Sequence, residues 1–210
     1  QVATPEDPAS SRMGENIYAF ARREMPGALR RGWSLEKERL ARLGKPVVCF
    51  DNEVLQSWGL TLLVNAALVV AFGWIVVPFL ALHHLAAWWG LTSANYIEHY
   101  GLLRQKLANG RYERCEPKHS WNSNHVVSNL LSFHLERHSD HHANPTRSYQ
   151  SLRHFDDAPE LPGGYSTMFL MAYLPPLWFR VMDPRLLALP NVQGDLSKVN
   201  LDPRLRAARP

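Results

Sequence analysis

The sequence predicts an all-α fold: an integral membrane helical bundle, represented by two transmembrane helices together with cytoplasmic helices that carry histidine motifs. Three observations predict it. From Val54 to Ile97 the chain runs 44 residues without Asp, Glu, Lys or Arg, and one helical crossing of a bilayer takes about 20 apolar residues. Basic residues gather on both flanks of that block. Beyond it, histidines recur at helical spacing. The slightly negative mean hydropathy of the whole chain reflects the polar flanks and says little about the middle.

Taken in order, residues 1–11 read as loop, because Pro5 and Pro8 fix φ and remove backbone donors. They lack the basic start and apolar core of a secretory signal. With no initiator Met before Met13, the chain reads as starting inside a longer protein. Glu15 to Leu43 reads as a basic, amphipathic helical segment carrying Arg22, Arg23, Arg30, Arg31, Lys37, Arg39 and Arg42, interrupted near Pro26-Gly27 and ended at Gly44-Lys45-Pro46. The spans are placed at Leu55 to Trp74 and Val76 to Asn95, with a turn near Gly73 to Pro78. Trp58, Trp74, Trp88 and Trp89 lie towards their ends, where aromatic rings favour the interface. Arg104, Lys106, Arg111, Arg114 and Lys118 follow, so both flanks resemble cytoplasmic loops and an even number of crossings is expected.

A further helix is expected over Ser123 to His142. The apolar piece Met168 to Val181 contains Pro175-Pro176, which suits an interfacial or re-entrant helix better than a span. The resulting organisation is a cytoplasmic loop with basic surface helices (1–53), a transmembrane hairpin (54–97), a cytoplasmic histidine-motif region (98–160), and an interfacial helix with a C-terminal tail (161–210).

The densest histidine group lies in FHLERHSDHHA: His134, His138, His141 and His142. On a helix, His138, His141 and His142 stand at i, i+3 and i+4, so their imidazoles share a face and can converge on one ion. Imidazole serves iron, zinc, copper and nickel alike, so spacing leaves the metal open. His134, one turn earlier, reads as a further ligand or as a packed, hydrogen-bonded side chain. His99 in NYIEHYG reads as a ligand or an interface residue, and Glu98 beside it as a candidate partner for a ligating imidazole. Asp140 reads as an acceptor that orients an imidazole, or as an exposed acid. His83 and His84 point about 100° apart on a helix and make a poor chelating pair, so they read as structural or tunnel-lining.

The composition excludes other classes. Cys49 and Cys115 are too few for a disulfide framework or the paired cysteine arms of an iron–sulfur electron carrier. The net charge of +4 flanks an apolar block instead of forming a stripe with exposed aromatics, so nucleic acid is not an expected partner.

NYIEHYGL at 95–102 and LERHSDHHA at 135–143, supported by VATPEDPAS at 2–10 and PTRSYQSLR at 145–153, resemble segments of the bacterial alkane 1-monooxygenases. The resemblance covers essentially the whole chain. It implies a membrane enzyme of the bacterial inner membrane, with its histidine motifs on the cytoplasmic side. Such an enzyme uses two iron ions, O2 and electrons from a separate rubredoxin to convert medium-chain n-alkanes to 1-alkanols. The implied iron ligands are His99, His138, His141 and His142. The same resemblance implies that the family's further HxxxH and HxxxHH motifs belong upstream of this segment, so the chain is expected to act with a preceding half of the same enzyme, among membrane lipid. Phe72, Trp74, Leu80, Leu82, Leu85 and Trp88 are candidates for lining a substrate channel. The competing readings are a fatty acid desaturase, a xylene-type monooxygenase, or a non-catalytic membrane metal-binding module.

Overall fold

In the computed structural model, which describes residues 2–207, the chain is helical, and no strand occurs among the described residues beyond isolated bridges such as Met13 with Leu201. Gln1 and the last three residues of the expected tail lie outside the described residues. Three long helices come first: α1 (Ile17–Arg42), α2 (Glu53–Phe72) and α3 (Val76–His99). Five shorter ones follow: α4 (Val126–Leu131), α5 (His138–Ala143), α6 (Tyr165–Ala172), α7 (Pro175–Leu187) and α8 (Pro203–Ala207). The chain divides into two compact units, Glu24–Leu91 and the remainder.

Two sequence expectations are corrected. The helix α1 runs through Pro26 without interruption. A proline inside a helix costs roughly 3 kcal/mol, and here the segments on either side are held by buried side chains, Ile17 and Phe20 before it and Leu40 after it. The single helix expected over Ser123 to His142 is instead two helices, α4 and α5. Phe133 and His134 both adopt positive φ, 53° and 60°, a conformation that ends a right-handed helix. His134 is therefore not one helical turn before His138. The break expected at Pro175-Pro176 is present: α6 ends at Ala172 and α7 starts on the prolines.

In the unit Glu24–Leu91, α2 is the one helix among the described residues that is long and apolar enough to cross a membrane by length and composition. It buries no residue. The second expected span falls within α3, whose His83, His84, Thr92, Ser93 and Asn95 make it more polar than α2. Asn52 caps α2 by accepting the Leu55 N–H (3.0 Å). Glu36 of α1 accepts the Glu53 N–H (2.8 Å) while pairing with Arg39 (2.7 Å). Gly73, at φ 75°, ends the helix. Between α2 and α3, Leu60, Val64, Leu68, Phe79 and Leu80 line a groove of about 470 Å³ crossed by a His84 Nε2 to Asn65 Oδ1 hydrogen bond (3.0 Å).

The other unit closes around the last turns of α3. Tyr96 and Tyr100 pack on Trp178 of α7 with ring centroids 5.1 and 5.2 Å away, and Tyr96 also meets Phe20 at 5.5 Å. Their hydroxyls are satisfied: Tyr96 donates to the Glu15 carbonyl (2.8 Å) and Tyr100 to Asp183 (2.7 Å). Ser11 donates to the Tyr96 carbonyl (2.7 Å), strapping the N-terminal loop to the helix. The chain leaves α3 at Gly101, where φ is 70° and a Cβ would stand 2.1 Å from Leu186 Cδ2. Gly101→Ala combines left-handed strain with that clash and is expected to destabilise the protein by about 1–3 kcal/mol, read as a lower thermal unfolding midpoint in detergent.

Candidate metal centre

The final turn of α3 presents Glu98 and His99, both buried. The loop after it docks back through Trp121, whose backbone N–H donates to the Glu98 carbonyl (2.8 Å) and whose indole N–H donates to the Tyr100 carbonyl (2.9 Å). The neighbouring Asn122 accepts the Ser139 N–H (2.8 Å), and the Ser139 hydroxyl donates to the Pro117 carbonyl (2.6 Å). These bonds seat the first turn of α5 against the end of α3. Asp140, fully buried, ties the other side of α5 to the following loop. It accepts from Asn144 (2.7 Å) and the Arg153 N–H (2.8 Å), and pairs with Arg147 at 3.3 Å. Asp140 is thus neither an exposed acid nor the acceptor of an imidazole: its partners are an asparagine and two arginines.

This framework brings together His99, His138 and His142, with one ring nitrogen from each lying within 4.8 Å of the other two. The Nε2 of His142 lies 2.7 Å from that of His138 and 3.3 Å from that of His99. Two nitrogens each about 2.1 Å from one ion stand roughly 3 Å apart, so little movement separates this arrangement from a coordination sphere. The Nδ1 of His99 lies 3.0 Å from the Asn95 carbonyl, which fixes that nitrogen as the N–H and leaves Nε2 its lone pair. His141 is exposed and outside the convergence, with its ring 5.8 Å from that of His138. His134 is half-buried in the turn before α5 and takes no part.

Around the imidazoles lies a buried acid network of which the sequence pointed only to Glu98. Glu98 Oε2 is 3.1 Å from His138 Nε2, and its other oxygen accepts the Tyr165 hydroxyl (2.7 Å). Glu136, fully buried, accepts the Tyr165 N–H (3.1 Å) and the Ser128 hydroxyl. Tyr165 lies 67 residues from Glu98 and no periodicity links them. The nearest signal is Gly163-Gly164, where a Cβ on Gly164 would stand 2.8 Å from Ser128 Oγ.

Burial pushes the Glu98 carboxyl up to about 8, with Glu136 adding to the rise and the Tyr165 hydrogen bond opposing it. Burial drives His99 down to about 4. It drives His142 down to about 3, helped by His99 and His141, and puts His138 well below its ordinary value. All three imidazoles are therefore neutral at pH 7, the form that ligates. Because the folded values lie below the ordinary 6.5, their contribution to stability is complete above that pH and is lost as pH falls towards 4 and 3. The metal-free protein is expected to show a falling thermal midpoint across that window, with metal affinity falling alongside it.

The donor set suits iron, for which neutral imidazole is a good ligand. Three imidazoles leave positions open on one ion, and a second ion would need further donors. Of the channel candidates, Leu80 lines the groove between α2 and α3, Phe72, Trp74, Leu82 and Leu85 are exposed, and Trp88 is half-buried against Trp89.

Residues 1–172 match the fatty acid desaturase family. The chain is 59% identical to an alkane 1-monooxygenase of Pseudomonas putida over 98% of its own length and 51% of the relative's. It is 59% identical to alkane 1-monooxygenase 1 of Alcanivorax borkumensis over 98% of this chain and 50% of that one. A xylene/toluene monooxygenase hydroxylase component of Pseudomonas putida is 27% identical over 85% of this chain and 47% of its own length. The chain spans about half the length of the relatives it matches. With a family match over most of the chain and three histidines converging inside the matched region, this protein belongs to the fatty acid desaturase family.

Proposed function

We propose that this chain supplies part of the di-iron centre and of the membrane domain of an alkane 1-monooxygenase, which converts a medium-chain n-alkane, O2, two electrons and two protons to a 1-alkanol and water. The observation that carries this reading is the convergence of His99, His138 and His142 in a chain so similar to alkane 1-monooxygenases. Bound iron supplies the activation of O2 that an inert C–H bond requires. His99, His138 and His142 would hold one ion, His141 would serve a second, and the remaining ligands would come from a preceding part of the same enzyme. The Asn95 carbonyl fixes the tautomer of His99, and Tyr165 holds Glu98 beside His138. Asp140 supports the site by anchoring α5. The apolar groove beside α2 suits a substrate that partitions into lipid. Two crossings, α2 and the greater part of α3, place the histidines on the cytoplasmic side of the bacterial inner membrane, where a rubredoxin delivers electrons.

The test is to supply membranes containing the complete reading frame with octane, reduced rubredoxin and 18O2. The expected product is 1-octanol bearing one labelled oxygen, absent in His138→Ala. Iron-loaded membranes that give only an alkene, or oxidise only methylarenes, would move the assignment to a desaturase or a xylene-type enzyme. Iron binding with no oxidised product from any of these substrates would leave a metal-binding module.

A further inference from the structure

The segment joining α1 to α2 has an arrangement that metal binding does not explain. At about 100° per residue, Met25, Leu29, Trp33 and Leu40 fall in one stripe roughly 80° wide along α1, broken by the buried Glu36 that pairs with Arg39 and continued by Leu43 just past the helix end. In the middle of the stripe Leu40 is buried, and Trp33 stacks on Trp58 of α2 with centroids 6.0 Å apart and planes 5° from parallel. The rest of it, Met25, Leu29 and Leu43, is exposed. Arg30 and Lys37 border the stripe, and Ser34 lies on the opposite, charged face.

Beyond α1, Val48 is 80% exposed and Phe50 98% exposed. This exposure is not slack in the chain. The Asn52 side chain donates to the Val47 carbonyl (2.7 Å), Gln56 donates to the Phe50 carbonyl (2.5 Å), and Lys45 pairs with Asp51 at 2.8 Å. The loop is therefore pinned to the first turn of α2, with its apolar side chains held outward. Phe50, the exposed residues of the stripe and α2, which has no fully buried residue, all belong to one compact unit.

We propose that residues 25–50 form an interfacial anchor, in which Met25, Leu29, Leu43, Val48 and Phe50 enter the headgroup–acyl boundary of the leaflet where α2 begins. Arg30, Lys37 and Lys45 meet the lipid phosphates there. The inference rests on α2 spanning the bilayer. An amphipathic helix with basic borders lies in that boundary with its apolar face about 5–10 Å deep, while long basic side chains reach back to the headgroups. An acidic protein partner would account for the basic residues but not for a pinned, outward-facing Val48 and Phe50.

Cys49 sits between those two residues and provides the probe. In the complete enzyme carrying Cys115→Ser, reconstituted in vesicles of phosphatidylcholine with phosphatidylglycerol, a nitroxide on Cys49 is read by its collisions with oxygen and with an aqueous nickel chelate. Parallel samples, also carrying Cys49→Ser, bear the label at Ser34→Cys or Ala67→Cys. The expected result is a Cys49 label about 5–10 Å deeper than the Ser34 label, with the Ala67 label in lipid. Cys49 as water-accessible as Ser34, with Ala67 in lipid, would overturn the anchor alone. Ala67 in water would overturn the spanning reading on which it rests. Protection of Cys49 that arises only on adding rubredoxin would assign this surface to that protein and overturn the lipid assignment.

Discussion

Replacing His142 by alanine in the complete enzyme is expected to remove most of the iron and to lower 1-octanol formation by more than about 100-fold, since losing only an outer partner of a metal ligand already costs 10–100-fold. His142 is the pivot of the convergence. Its Nε2 is the atom that lies within 3.3 Å of both other nitrogens, so without it His99 and His138 no longer share a common neighbour. The substitution does not threaten the fold, because His142 is only half-buried and its ring makes contact chiefly with the other imidazoles. Iron content by mass spectrometry of purified protein, read beside an unchanged thermal midpoint of the metal-free form, separates a lost ligand from a lost fold. Iron retained at the wild-type level would contradict the role given to His142.

Trp178→Ala is expected to cost about 3–5 kcal/mol, the range for emptying a large buried aromatic site. Trp178 is fully buried and lies against both Tyr96 and Tyr100, so its removal leaves a cavity beside the last turns of α3, the turns that carry Glu98 and His99. A lower thermal unfolding midpoint and a lower iron content are expected together. Trp178→Phe, which keeps a ring against the two tyrosines, should recover much of both. Loss of iron at an unchanged midpoint would show that Trp178 acts on the centre without supporting the fold.

Legibility in the sequence followed the range of the physics involved. The uncharged run Val54 to Ile97 announced long helices, of which α2 alone among the described residues has the length and apolarity that a crossing demands. Gly73 and Pro175-Pro176 marked real helix boundaries. Pro26 did not, since its local cost was outweighed by packing before and after it. The spacing of His138 and His142 was informative because α5 is helical just where those residues lie, although the turn at Phe133 and His134 cut short the longer helix expected there.

From the sequence alone came an all-helical chain with an apolar block, and a histidine cluster suited to a metal, both products of local periodicity and composition. The family resemblance had already grouped His99 with the cluster; only the tertiary structure decided that His142 and not His141 converges with it on His138, that Tyr165 holds Glu98 and that Asp140 binds arginines. Those partners are brought together across up to 67 residues by the packing around Trp121, Asn122 and Trp178. Contacts at that separation are selected by the closing of a core and the satisfaction of buried polar groups, which no spacing rule along the chain encodes.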